Sequence, residues 1–214
     1  MNAPQFSMLV PLQWQSASWD DYLRYRDDST ERLRLYFNGR AVLADMGSEG
    51  IDHASVSDLF LLLIYIWVKQ VQPDLAVGSF GRCVLEKPGQ KAASPDLVLY
   101  LGAGIPRRDA AKLRRIDLNQ WRLPDLVGEI ADTTLASDLD EKKRLYAALG
   151  IPEYWVIDVR GRVMAFRLAD GQYCQCVESV ALMGLSIDLL EQALARLGEM
   201  PNFAVANWFE QMLA

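Results

Sequence analysis

Apolar positions recur along the chain with two periods, and the change of period marks the elements. Residues 1–15 show neither period and read as an irregular arm. Ser18 or a neighbour then stands where a helix cap belongs. The run WDDYLRYR has early acids and later bases, so a helix is expected through about Arg26. LRLYFNGRAVLADM reads as two strands around a turn, because Asn38-Gly39 is a strong hairpin signal. A loop over 47–53 leads to a mostly apolar helix over 54–70, which has to be covered on nearly every side. Its continuous apolar stretch, 59–68, is too short to span a bilayer and suits a buried helix. LAVGSFGRCVLEK is a strand pair or a bent strand with glycines. Residues 87–95 form a polar loop, 97–101 a short apolar strand, 102–124 an Arg-rich irregular stretch and 126–130 a buried strand. A helix over 138–149 precedes three strands at 154–159, 162–168 and 172–177, the first two joined at Arg160-Gly161. A helix over 187–197 and a short one after Asn202 close the chain. Helices interspersed with short strands predict an α/β (α+β) fold, with the 54–70 and 138–149 helices packed on a central mixed sheet. No repeat or linker divides it, so one domain is expected.

The 138–149 helix has a marked beginning and end. Asp138 with Glu141 three residues on is a capping-box pattern, and Gly150 followed by Pro152 marks the C-terminal end. Leu139, Leu145, Tyr146 and Leu149 then share one apolar stripe. Lys142 falls in the middle of that stripe, Lys143 at its edge and Arg144 on the far side. A lysine centred in an apolar face is costly unless it snorkels or meets an anion. Two carboxylates supply candidate anions: Asp96 stands directly before the strand LVLYL, and Glu129 ends the strand run LVGEI. Two acids at adjacent strand ends can hold a divalent ion through hard oxygen ligands. Such an ion activates water and steadies charge on a phosphate, and a nearby lysine can help do both. With no cation between them the two acids would repel, so removing either is expected to stabilise the ion-free fold.

Composition narrows the class. Apolar residues make up 51% of the 214 and charged residues 23%, which suits a globular domain. The first fifteen residues have no basic segment followed by an apolar run, so a signal peptide is not expected. Cys83, Cys174 and Cys176 form no disulfide framework and suit a reducing cytoplasm. With one histidine in the chain, a zinc site at Cys174 and Cys176 is not expected. A net charge of −6 argues against a protein that simply coats nucleic acid, yet is compatible with a nuclease whose carboxylates await a cation.

The segment PDLVGEIADTTLASDLDEKKRLYAALGIPEYWVIDV over 124–159, with Pro95-Asp96 before it, resembles the Uma2-type restriction endonucleases, a group abundant in cyanobacteria. The likeness runs from about Tyr36 to Leu190 and extends weakly to Tyr36-Phe37-Asn38-Gly39 and His53. It implies a restriction-endonuclease-like fold, similar to the PD-(D/E)xK nucleases, over 36–200, after an N-terminal arm and helix over 1–35 and before a C-terminal short helix over 201–214. It implies Mg2+ (or Mn2+) held by Asp96 and Glu129, with Lys142 replacing the nuclease lysine that would otherwise stand at Ala131. It further implies a nucleic-acid substrate, DNA before RNA, and a homodimer. Such proteins often carry an acid near position 35. This chain has Leu35, with Glu31, Glu49 and Asp52 as the acids that could compensate.

Other residues carry weaker expectations. His53 could be a general base, but a helix-start or core hydrogen-bonding role is preferred. Asp132 could touch the ion through water or serve a turn. Lys87, Lys91, Arg107, Arg108, Arg114 and Arg115 are candidates for phosphate-backbone contacts. The alternatives to an endonuclease are a catalytically inactive protein of the same fold, binding nucleic acid or regulating, and a structural oligomer using the 59–68 helix as an interface.

Overall fold

The computed structural model describes residues 9–28, 33–45, 50–107 and 115–213. In chain order the elements are β1 (Gln15–Ser16), α1 (Trp19–Asp28), β2 (Arg34–Phe37), β3 (Ala41–Asp45), α2 (Ile51–Val71), β4 (Val77–Ser79), β5 (Val84–Lys87), β6 (Lys91–Ala93), β7 (Leu97–Leu101), β8 (Arg115–Asp117), β9 (Leu126–Ala131), α3 (Leu135–Leu139), α4 (Glu141–Leu149), β10 (Glu153–Asp158), β11 (Arg162–Ala169), β12 (Gln172–Cys176), α5 (Ile187–Arg196) and α6 (Asn202–Met212).

Every residue of β9 and β10 is buried. Such strands need cover on both faces, and they receive it. They lie parallel to each other inside a mixed sheet of order β12-β11-β10-β9-β7-β4. One face packs on α2, α5 and α6 through Leu63, Trp67, Trp155, Leu190 and Phe209. The other face meets α4 and a second mixed sheet, β1-β3-β2-β6-β5-β8, through Leu145, Tyr154, Val127, Tyr36 and Leu85. Helix α1 covers the outer side of that second sheet through Tyr22. The result is a mixed-sheet, helix-flanked fold, with the strands divided over two sheets.

Local chemistry accounts for most boundaries. Ser18 and Asp21 form a reciprocal cap at α1: the Asp21 amide donates to Ser18 Oγ at 3.2 Å, and the Ser18 amide to Asp21 Oδ2 at 2.8 Å. Gly150 closes α4 in the left-handed region at φ +83°, with its own amide and that of Ile151 returning to the carbonyls of Ala147 and Tyr146.

Several expectations are corrected. The polar loop over 87–95 contains β6, and the irregular stretch over 102–124 contains β8, which runs parallel to β5. Both are three residues long and gain order from long-range pairing, which no local pattern announces. The 138–149 helix is two helices, α3 and α4, broken at Asp140, and Asp138 lies inside α3 rather than capping it. Helix α2 starts at Ile51 and is long and apolar enough to cross a membrane by length and composition. Here its buried face forms the core. It is not covered on nearly every side, however: Asp58, Leu61, Tyr65 and Lys69, spaced along one stripe, are exposed.

Candidate active site

The antiparallel register of β7 and β9 pairs Leu97 with Gly128 and Val98 with Val127. One step further sets Asp96 beside Glu129, both on the face turned toward α4 and the second sheet. The approach to Asp96 is tight. A Cβ on Gly81 would lie 2.5 Å from the Asp96 carbonyl oxygen, so only glycine fits there. The Phe80 and Arg82 amides donate to the carbonyls of Val98 and Pro95 at 3.0 and 2.9 Å, which fixes the strand on either side of Asp96.

Asp96 is 5% exposed. Its Oδ2 accepts the Ile130 amide at 2.9 Å and lies 3.4 Å from His53 Nε2; its Oδ1 is 2.8 Å from Arg34 Nη1. Burial raises the pKa of this carboxyl, but the His53 contact and the Arg34 guanidinium outweigh it and hold the group at about 2. Glu129 is 1% exposed. Its Oε2 accepts from Lys142 Nζ at 3.3 Å, Arg34 Nη2 at 3.3 Å and the Tyr36 hydroxyl at 3.1 Å, and its Oε1 accepts the Tyr146 hydroxyl. Burial pushes Glu129 up to about 7; Lys142 opposes that shift and Asp96 adds to it. The Tyr36 hydroxyl has one proton to give and also lies 2.9 Å from the Ser94 carbonyl, so it shares that proton.

Lys142 does not snorkel. Its side chain is 1% exposed, with Nζ 2.8 Å from Asp138 Oδ1 and 4.4 Å from the centre of the Tyr36 ring. Burial works against its charge, but Glu129, Tyr36 and Asp138 more than restore it, and the pKa is raised well above that of an ordinary lysine. Lys142 is therefore a held cation and not a base. Asp138 also accepts the Thr134 hydroxyl at 2.6 Å. The capping role assigned to it from sequence gives way to this one: it orients Lys142 across one turn.

Together Arg34, Asp45, His53, Asp96, Glu129 and Lys142 surround a cleft of about 80 Å3, with Gly50, Ile130 and residues 132–134 at its margin. Position 35 is not part of it. Strand β2 sends Arg34 and Tyr36 toward Glu129, and Leu35, 4% exposed, the other way into the cluster with Tyr22 and Phe37. Its lack of a carboxylate therefore removes nothing from the cleft. Asp52 is exposed at the start of α2, and Glu31 and Glu49 lie outside the described residues. His53, expected in a helix-start or core hydrogen-bonding role, is buried in the first turn of α2 and reaches Asp96. Asp132 stands exposed at the rim.

The basic candidates do not gather here. Arg115 Nε pairs with buried Glu86 at 2.8 Å inside the second sheet, and Arg26 Nη1 reaches the same carboxylate from α1 at 2.8 Å. Lys87 and Lys91 face each other across the β5–β6 turn, and Arg107 is exposed. Arg108 and Arg114 lie outside the described residues. Arg34 lies between Asp96 and Glu129, and Lys142 beside Glu129, so cations offset the repulsion between the two acids in part, while Asp96 still raises the pKa of Glu129.

The model of the Uma2 family, described as "Putative restriction endonuclease", matches residues 19–196. The chain belongs to the Uma2 family. Among solved structures, a protein from Anabaena variabilis described as a putative nuclease belonging to DUF820 superposes with a TM-score of 0.52 at 15% identity, over 90% of this chain and 99% of that one. That likeness is one of fold. No curated protein matches the chain in sequence. Family and fold place the chain in a nuclease-like superfamily, one associated with metal-dependent nucleases.

The residues present fit a divalent cation in kind. Asp96 and Glu129 offer hard oxygen donors side by side, and buried Asp96 Oδ1 makes no hydrogen bond, only the ion-pair contact with Arg34. Among the described residues no group of three His, Cys, Asp or Glu side chains forms a complete cage. An ion such as Mg2+ normally keeps several waters and substrate oxygens, so two carboxylates suffice for it.

Proposed function

We propose that this protein is a Mg2+- or Mn2+-dependent endonuclease that hydrolyses phosphodiester bonds of nucleic acid, DNA before RNA, in the cleft between Asp96, Glu129 and Lys142. The observation that carries the reading is the buried contact of Lys142 with Glu129 beside Asp96. A carboxylate pair and a fixed cation open to one cleft are the groups that phosphate chemistry uses. Asp96 and Glu129 would hold the cation, which when bound supplies positive charge to the phosphate and a more acidic water. The chain's own side chains do the rest. Lys142 presents a permanent charge to the phosphate oxygens as the bond from water to phosphorus forms and the bond to the leaving sugar oxygen breaks. Asp138 and Tyr36 hold Lys142 in place. The Ile130 amide and His53 fix Asp96, and the hydroxyls of Tyr146 and Tyr36 fix Glu129. A homodimer suits this reading because a duplex has two strands to cut; a monomer in sedimentation at high concentration removes that part of it.

The test is cleavage of single- and double-stranded DNA and of RNA with Mn2+, comparing the unsubstituted chain with Glu129→Gln. Metal-dependent cleavage that the substitution abolishes is the expected result. One observation favours the non-catalytic alternative: Arg34 stands between the two carboxylates. Absence of cleavage on every substrate, with nucleic acid still bound, would establish that alternative.

A further inference from the structure

The place between Asp96 and Glu129 is taken by a side chain of this protein. Arg34 reaches Asp96 Oδ1 with Nη1 at 2.8 Å and Glu129 Oε2 with Nη2 at 3.3 Å, and its Nη2 donates to the Ser94 carbonyl at 2.9 Å. Asp96 and Glu129 are the carboxylates that would hold a divalent ion. A guanidinium and a divalent ion cannot both hold them, since two cations so close in a buried setting repel strongly.

The pairing is also incompletely made. Arg34 meets its two acids on separate nitrogens, without the two-bond fork that makes arginine–carboxylate pairs strong. Asp96 Oδ1 forms no hydrogen bond, and buried Arg34 Nε has no hydrogen-bond partner. The side chain is 18% exposed and lines the cleft, so it has a way out. Asp45, 3.7 Å from Arg34 Nη1 and lining the same cleft, gives the guanidinium an acid to turn to.

We propose that Arg34 is a resident counter-cation that competes with the divalent ion for Asp96 and Glu129 and swings into the cleft when the ion binds. The proposal rests on the metal-dependent reading of the site and adds what sets the ion's affinity. Arg34 keeps the two acids compensated in the ion-free protein, and ion binding is weakened by the work of displacing it. Because the competition is reciprocal, removing Arg34 strengthens ion binding by the same factor by which the ion weakens the Arg34 contact.

The experiment is calorimetric titration of Mn2+ into the full chain, its Arg34→Gln and Arg34→Lys variants, and Arg26→Gln as a control for loss of a positive charge at the distant Glu86. Arg34→Gln should bind Mn2+ on the order of tenfold more tightly, a typical coupling between linked sites. Arg34→Lys, which keeps a cation, and Arg26→Gln should stay near the unsubstituted affinity. A second reading needs no variant: saturating the unsubstituted chain with Mg2+ should move the NMR signal of the Arg34 Nε–H. If Arg34→Gln and the unsubstituted chain bind Mn2+ equally, or the Arg34 signal stays still at saturation, the competition is overturned and the metal reading stands. If no form binds Mn2+, the metal reading falls and the proposal with it.

Discussion

Glu129 and Glu153 are both buried, on the adjacent strands β9 and β10, and they face opposite sides of the same sheet. Val156 pairs with Glu129 in the parallel register, and Glu153, three residues earlier, points the other way. Glu153 accepts Trp155 Nε1 at 2.6 Å, Ser179 Oγ at 3.2 Å and the amides of Val180 and Ala181 at 2.9 and 2.6 Å. Every one of those donors is neutral. Its carboxylate pins the loop ahead of α5 to the sheet. Glu129 instead meets Lys142, Arg34 and two tyrosine hydroxyls beside a cleft. Burial raises the pKa of both. The lesson is in the partners: neutral donors make a buried acid an anchor, whereas charged partners and an opening make it a site.

The largest expected effect separates the two by activity. Glu129→Gln should lower metal-dependent cleavage by roughly a thousandfold, the scale of losing a group that acts on the transition state. Glu153→Gln should leave cleavage per folded molecule within about threefold, since its contacts lie on the other face. Similar losses for the two variants in single-turnover assays would erase the distinction.

Stability should sort them the other way. Glu153→Ala strands two loop amides, a hydroxyl and an indole N–H, and should cost on the order of 3 kcal/mol in urea unfolding. Glu129→Gln keeps an acceptor for one of the two tyrosine hydroxyls, sets an amide NH2 against the other, and removes a charge that the fold finds hard to bear above pH 7. It should cost less than half as much. A larger loss for Glu129→Gln would mean that Arg34 and Lys142 depend on Glu129 more than the geometry indicates.

What the sequence could and could not reveal follows from the same contrast. Asp96 stands directly before β7, Glu129 is an acid inside the otherwise apolar β9, and Lys142 interrupts an apolar stripe; these signals are local. Asp138 was hidden because an acid three residues before a glutamate at a helix start reads as a cap. Arg34 and Tyr36 needed the register of β2 against β6 and the packing of one sheet on the other, which arise from residues far apart in the chain. One clue was present: the run Arg34-Leu35-Tyr36-Phe37 alternates polar and apolar, so position 35 faces away from whatever 34 and 36 face. The order of elements from β9 to α5 was legible because those strands are long or joined by clear turns. Strands β6 and β8 were not, because each gains its order from its neighbours.

The acid limb of stability sharpens the comparison next. Asp96 is held at about 2, below the ordinary carboxylate range, so it contributes stability that is present above about pH 4 and is lost as pH falls toward 2. Glu129 has the opposite sign. Its folded pKa of about 7 lies above the unfolded value, so its contribution is present below the unfolded pKa and is lost as pH rises through 7. In the ion-free protein Asp96→Asn should remove on the order of 2 kcal/mol above pH 4 and flatten the decline between pH 4 and 2. Glu129→Gln should flatten the fall from about pH 4.5 to 7. Urea unfolding across that range reads both, and an unchanged acid limb in Asp96→Asn would refute the first.

The smallest effect is expected at Lys143, and it tests the site most locally. Lys143 is the neighbour of Lys142 in α4, has the same charge and differs only in the face it takes. Its Nζ lies 3.6 Å from the centre of the Phe166 ring on β11, half-buried and away from the cleft. Burial lowers its pKa, whereas the surrounding carboxylates raise that of Lys142. Lys143→Ala should therefore cost only the ring contact, about 0.5–1 kcal/mol of stability, and leave cleavage within about twofold. Lys142→Ala should leave Mn2+ binding largely intact, because Asp96 and Glu129 remain, and should remove turnover. The two rates are best compared at saturating Mn2+, where differences in ion affinity drop out. Equal rates would show that the buried contact of Lys142 with Glu129 and Asp138 is irrelevant to the chemistry, and Lys142 would lose its assigned role.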